Sequence, residues 1–157
     1  YTRTKRECEL MVLDRSGGVV LRLANLYGPG MSPNNVVSAI LAQVPGVGEL
    51  RLWNASPVRD FLWIDDAAAG VAAVALGQAT GIYNLGSGNG YSIREVADTA
   101  LALAGQSDRR ILSTHPAGRS SHLTLAIDKT VRDFGWKPKT SLKEGLERLI
   151  TPKPTHQ

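Results

Sequence analysis

The chain has 157 residues, of which 43% are hydrophobic and 20% charged, enough to bury a real core in one globular domain. Its 18 Lys and Arg against 14 Asp and Glu give a formal charge of +4. That excess tolerates anionic ligands such as phosphates. It includes no basic run beyond Arg109-Arg110, which argues against a nucleic-acid partner. One cysteine, Cys8, excludes an internal disulfide and agrees with a reducing, cytoplasmic setting. The most apolar stretch, Ala67 to Leu76, is too short to span a bilayer, so no membrane partner is expected.

The sequence opens at Tyr1 inside a helical pattern, without an initiator Met, and this predicts a piece of a longer protein. Residues 2 to 15 read as an amphipathic helix stopped by Ser16-Gly17-Gly18, with Cys8 packed along the same face as Lys5. Val19 to Ala24 reads as a buried strand interrupted by Arg22, and Asn25 to Gly30 as a turn at its carboxyl end, where α/β sheets gather ligands. Ser32-Pro33 is expected to cap a helix running to Val44. Leu50 to Trp53 and Val58 to Leu62 read as strands, and Asp65 or Asp66 as the cap of an alanine-rich helix ending near Leu76. Ile82 to Leu85 is a further buried strand, followed by a Gly86–Gly90 loop. Ser92 with Glu95, and Ser141 with Glu144, are capping boxes that open two helices. Arg110 to Thr114 and Leu123 to Ile127 are expected strands, and Asp128 is expected to cap a short helix between them and Gly135. Helices and strands alternate throughout, which predicts an α/β fold.

Few residues stand out chemically. Tyr1 and Lys5 are four apart, one above the other on a helix. An ammonium beside a phenol favours the phenolate and lowers its pKa from about 10, which suits a general acid/base for a hydroxyl proton. Such a pair is also common on ordinary surface helices. Gly86-x-Gly88-x-Gly90 follows a strand and precedes a helix, but the dinucleotide fingerprint needs its last glycine one residue later, where Tyr91 stands. Arg59 in Arg59-Asp60-Phe61 fits either a surface ion pair or a guanidinium reaching a phosphate. Asp65 with Asp66, and His115 with His122, lack the further ligands that a metal site requires, so no metal is expected.

In order, Tyr1-x-x-x-Lys5, Arg22-Leu23-Ala24-Asn25-Leu26-Tyr27-Gly28-Pro29, Arg59-Asp60-Phe61-Leu62-Trp63-Ile64-Asp65-Asp66, Tyr83-Asn84-Leu85-Gly86-Ser87-Gly88 and Gly135-Trp136-Lys137-Pro138 continue into Ser141-Leu142-Lys143-Glu144-Gly145-Leu146. This series resembles the carboxyl-terminal half of extended short-chain dehydrogenases/reductases, the NAD-dependent nucleotide-sugar epimerase/dehydratase family. The resemblance covers Tyr1 to about Ile150. It implies the last part of a Rossmann-type parallel sheet plus a small α/β substrate-binding domain. Residues 1–30 would carry the terminal helix and strand of the NAD-binding domain, and 31–150 mainly the nucleotide-sugar domain. Residues 63–88 would return to the Rossmann sheet, and 151–157 would form a tail.

The resemblance also implies roles. Tyr1 would be the catalytic acid/base, and Lys5 would bind the nicotinamide ribose and hold the Tyr1 phenolate. Asn25, Arg59 and Arg119 would bind the nucleotide-sugar, the two arginines gripping its diphosphate. NAD or NADP would be the cofactor, held mainly by a half that this sequence lacks, and a homodimer would be the assembly. The family aspartate that binds the nucleotide ribose is replaced here by His122. Two other readings stay open: a nucleotide-sugar-binding module without an NAD site, and a non-catalytic relative kept for protein contacts.

Overall fold

A computed structural model describes residues 2–115 and 121–151. Helix α1 (Thr2–Leu13) leads into strand β1 (Val19–Leu23), then β2 (Asn25–Tyr27) and helix α2 (Val36–Leu41). Strands β3 (Leu50–Leu52) and β4 (Val58–Trp63) precede α3 (Ile64–Leu76), β5 (Gly81–Leu85), β6 (Gly90–Ser92) and α4 (Ile93–Leu103). Strands β7 (Ile111–Ser113) and β8 (His122–Leu123) and helices α5 (Asp128–Phe134) and α6 (Leu142–Ile150) complete the chain. The architecture is α/β with predominantly parallel pairing, as expected: β1 with β5, β2 with β4, β3 with β7 and β4 with β8. Only β4 with β6 is antiparallel among the described strands.

Strand β4 holds the fold together through its period-2 alternation. Phe61 and Trp63 enter the larger core with Tyr27, Ile40, Leu101 and Leu146, while Leu62 between them enters a second core with Ala67, Leu85 and Trp136. Its apolar run is therefore buried on both faces, the pattern of a central strand. Tyr27 meets Phe61 and Trp63 edge-on, with ring centroids 6.4 and 5.4 Å away. Burial raises its phenol pKa well above the ordinary value, and its Oη donates to the Ser141 carbonyl at 3.3 Å.

Several expectations need correction. The stretch from Val19 to Tyr27 is two strands in different sheets: Ala24 N–H donates to Leu85 O, and one residue later Asn25 joins the β4 ladder. Arg22 is not buried; it forks onto the Glu9 carboxylate at 2.8 and 2.6 Å, tying β1 to α1. Cys8 is exposed, because α1 buries none of its residues. Helix α2 starts later than expected, since the Asn35 side chain accepts from Val37 N–H at 2.8 Å and supplies the cap. Trp63 is the N-cap of α3, without a side-chain bond. Its two aspartates lie in the first turn, where Asp65 accepts from Trp63 Nε1 (2.9 Å) and Asp66 from Thr140 N–H (2.8 Å). Asp128 likewise lies inside its helix, behind Ile127. The strand expected at Leu123–Ile127 shrinks to β8, and β6 forms at Gly90–Ser92, read earlier as loop and cap.

Both capping boxes form, with reciprocal bonds between Ser92 and Glu95 and between Ser141 and Glu144. The serine hydroxyl and backbone N–H hold each glutamate pKa below the ordinary 4.5. A carboxyl with a depressed folded pKa stabilises fully above its unfolded value and loses that contribution as pH falls through the folded one. Ser141→Ala should therefore cost about 1 kcal/mol and lower Tm by roughly 2–4 °C in a thermal melt followed by circular dichroism. Glu144→Gln should flatten the fall of Tm with pH on the acid side of neutrality.

Candidate functional site

The polar centre of the molecule is the side chain of Asp60, 1% exposed on β4. Its Oδ1 accepts from Ser87 N–H (2.8 Å) and Ser87 Oγ (2.6 Å), and its Oδ2 from Gly88 N–H (3.1 Å) and Leu125 N–H (3.2 Å). Four donors from two distant loops thus converge on one carboxyl group, which offsets the cost of burying it. The loop can close this tightly only with glycine at 86, where an added Cβ would stand 2.5 Å from Asp60 Oδ2. No ion pair joins Asp60 to Arg59 among the described residues.

This closure settles what the glycine loop does. The N–H groups of Ser87 and Gly88, which a phosphate cradle would offer to a ligand, point at a carboxyl group of the chain itself. The loop is a structural clasp and not a dinucleotide site. Of the Arg109-Arg110 pair, Arg109 is held by the chain, donating to the carbonyls of Gln43, Val44 and Gly48, and Arg110 lies on the surface 3.5 Å from Glu49.

Two of the expected ligand residues flank Asp60. Asn25 Nδ2 donates to the Asp60 carbonyl at 3.2 Å, and Asn25 stands beside Phe61 in the β2–β4 register, two residues along from Arg59. The Arg59 guanidinium is partly buried and donates through Nη1 to the carbonyls of Val58 (2.7 Å) and Ser121 (3.0 Å). Those bonds aim the planar fork while leaving its other N–H groups available to an anion. Beyond Asn25, the carboxyl end of β2 borders a hollow of about 230 Å³ lined by residues 26–32, Asn35 and Ile64. Gly28, at φ +150°, makes this turn possible, since a Cβ there would meet Ile64 Cγ2 at 2.5 Å. Asn35 seals the hollow, its Nδ2 donating to Leu26 O at 3.0 Å.

The remaining expected residues are distributed differently. Lys5 is exposed in the early turns of α1. Tyr1 and Arg119 lie outside the described residues. His122, in β8, has its Nε2 3.0 Å from Thr124 Oγ1. Asp60 and Asn35 escaped sequence reading. Asp60 was visible only as the middle of Arg59-Asp60-Phe61, and Asn35 only as a second polar residue after the misplaced cap. Among the described residues, no group of three or more His, Cys, Asp or Glu could hold a metal, and no helix is long and apolar enough to cross a membrane.

Asp60→Ala should remove the acceptor of three part-buried backbone N–H groups, those of Ser87, Gly88 and Leu125, at a total cost of about 1–3 kcal/mol. Urea unfolding should show a much lower midpoint with the slope unchanged. A midpoint within experimental error of the parent chain's would mean that the clasp is dispensable.

Comparison with known proteins places these features in a family. The model of the NAD dependent epimerase/dehydratase family matches residues 1–86. The dTDP-L-rhamnose 4-epimerase of Burkholderia thailandensis is 30% identical over 139 residues, covering 84% of this chain and 38% of that protein. The solved structure of Thermus thermophilus UDP-glucose 4-epimerase in complex with NAD matches at TM-score 0.77 and 29% identity, over 95% of this chain and 51% of that one. The dTDP-glucose 4,6-dehydratase of Bacillus anthracis in complex with NAD shares the fold at TM-score 0.84 and 23% identity, over 96% of this chain and 50% of that one. The chain thus spans about half the length of the solved structures it matches, and less of some curated relatives. It belongs to the NAD dependent epimerase/dehydratase family.

Proposed function

We propose that this chain is the substrate-side part of an NAD- or NADP-dependent nucleotide-sugar epimerase or dehydratase. The observation that carries the reading is the arrangement around Asp60, which sets an amide (Asn25) and an aimed guanidinium fork (Arg59) two residues apart in register on paired strands. An amide and a guanidinium together suit the oxygens of a sugar diphosphate. Arg119 is the second arginine of that grip.

The proton chemistry falls to Tyr1 and Lys5. Tyr1 Oη takes the proton from a sugar hydroxyl and returns it at the end of the cycle. The Lys5 ammonium favours the phenolate and contacts the nicotinamide ribose. The bound dinucleotide supplies the hydride acceptor at the sugar carbon. The described residues offer that cofactor the Lys5 contact but no pyrophosphate cradle, since the glycine loop is closed on Asp60. Its phosphates belong on the other half of a longer protein, and β1 and β5 form the edge of the sheet that would carry them. That same closure favours a second reading for the chain by itself, a nucleotide-sugar-binding unit without dinucleotide affinity. The same reading takes the working enzyme to be a homodimer in the cytoplasm.

In the longer enzyme, Tyr1→Phe should lower kcat by about 10²–10⁴ with the circular dichroism spectrum unchanged. Arg59→Ala should act mainly on KM, raising it by roughly 10–100-fold for UDP-, dTDP- or GDP-sugars in a coupled assay of sugar conversion. Full turnover by the Tyr1 variant would remove it from the mechanism.

A further inference from the structure

Helix α1 lies against β1 with no residue fully buried. Among its described residues only Glu9 and Leu13, four apart, are partly shielded, and they mark the side turned toward the sheet. On that side Arg22 forks onto Glu9 through two parallel bonds, Nε to Oε1 at 2.8 Å and Nη2 to Oε2 at 2.6 Å. The guanidinium holds the Glu9 carboxyl below its ordinary pKa. A single hydrogen bond fixes a distance, whereas a fork of two also fixes an angle. Lys5 stands one turn before Glu9, and Tyr1 four residues before Lys5.

The strand end of the fork is tied to the substrate side. Strand β1 pairs with β5 along its whole length, with Arg22 opposite Asn84. Two residues on, Ala24 N–H donates to Leu85 O, and Asn25 then joins β4 opposite Phe61. Arg22 and Asn25 are thus three residues apart on an extended, bonded segment, about 10 Å. That segment carries both the anchor of α1 and the amide of the substrate grip. A helix with its side chains has a radius of about 5–6 Å, so a roll of roughly 30° carries a side-chain tip about 3 Å. Misplacing a reacting group by about 1 Å can cost on the order of 10²-fold in rate.

We propose that Glu9 and Arg22 are positioning residues for the proton pair: their fork sets the roll of α1 about its axis, and so the placement of Lys5 and Tyr1 relative to a substrate held at Asn25. The inference rests on the reading of Tyr1 and Lys5 given above. The fork acts through direction and not through stability, since exposed ion pairs stabilise little. Keeping the helix from fraying is a separate requirement. Arg22→Lys would keep the charge but lose the second parallel bond, so it should not replace the fork.

The test uses the longer enzyme with its dinucleotide bound. Glu9→Gln and Arg22→Lys should each lower kcat by about 10–100-fold, while KM, UDP affinity in calorimetry and Tm stay within error of the parent's. Exchanging the partners, Glu9→Arg together with Arg22→Glu, should recover most of the loss. In a Lys5→Met background, Glu9→Gln should cost less than about two-fold more, because a residue acting through Lys5 has nothing left to position. A full further loss in that background would overturn the positioning role, and so would unchanged kcat in both single variants while Tyr1→Phe is inactive. Either result would leave the proton pair standing. If Tyr1→Phe and Lys5→Met both turned over normally, the proton pair and its positioning residues would fall together.

Discussion

One buried carboxyl group sets the geometry on which the rest depends. Asp60 sits between Arg59, which faces outward toward Ser121, and Phe61, which fills the larger core. Its backbone carbonyl fixes Asn25, and its side chain binds the loop after β5 and the segment after β8. Burying a polar group this deeply is tolerable only because its donors converge on it. Those donors would in turn be orphaned without it, so each side of the clasp requires the other. The two described residues proposed to grip the diphosphate, Asn25 and Arg59, are attached to this clasp or adjoin it.

The clasp works because β4 is a junction. Its first residues pair with β6 and β8, and its last pair with β2. Its alternating side chains feed two separate cores. A strand in this position cannot slip by one residue, since the slip would exchange Phe61 and Trp63 for Leu62 and turn Asp60 away from its donors. Register, core identity and the aim of Arg59 are therefore set together.

What the amino-acid sequence disclosed follows the range of the interactions. The boxes of Ser92 with Glu95 and Ser141 with Glu144 are local, three residues apart, and were readable directly. Asp66 had the composition of a cap but accepts from Thr140, 74 residues on, a partner that no local pattern announces. Asp60 is similar, with acceptor bonds to positions 27 to 65 residues away. Arg22 looked like a buried charge because apolar residues surround it in sequence, yet its face of β1 is open and pairs with Glu9. Asn25 and Arg59 stood out as candidate ligand residues only through the order of the surrounding motifs.

The helix bearing Lys5 carries a physical condition of its own. Helix α1 has 12 residues and buries none of them. Isolated helices of that length are marginal in water. The fork between Arg22 and Glu9 is exposed, and surface ion pairs of this kind stabilise little. Leu10 and Met11, 59% and 72% exposed, offer an apolar stripe that nothing in the described chain covers. A lysine that must hold a phenolate in a defined position needs a helix that does not fray. The catalytic reading of Lys5 therefore requires a surface packed over Leu10 and Met11, whereas the grip at Asn25 and Arg59 is already held by Asp60 and β4. The two halves of the proposed mechanism thus differ in what they need: the substrate side is built by the chain, and the proton side depends on what docks against α1.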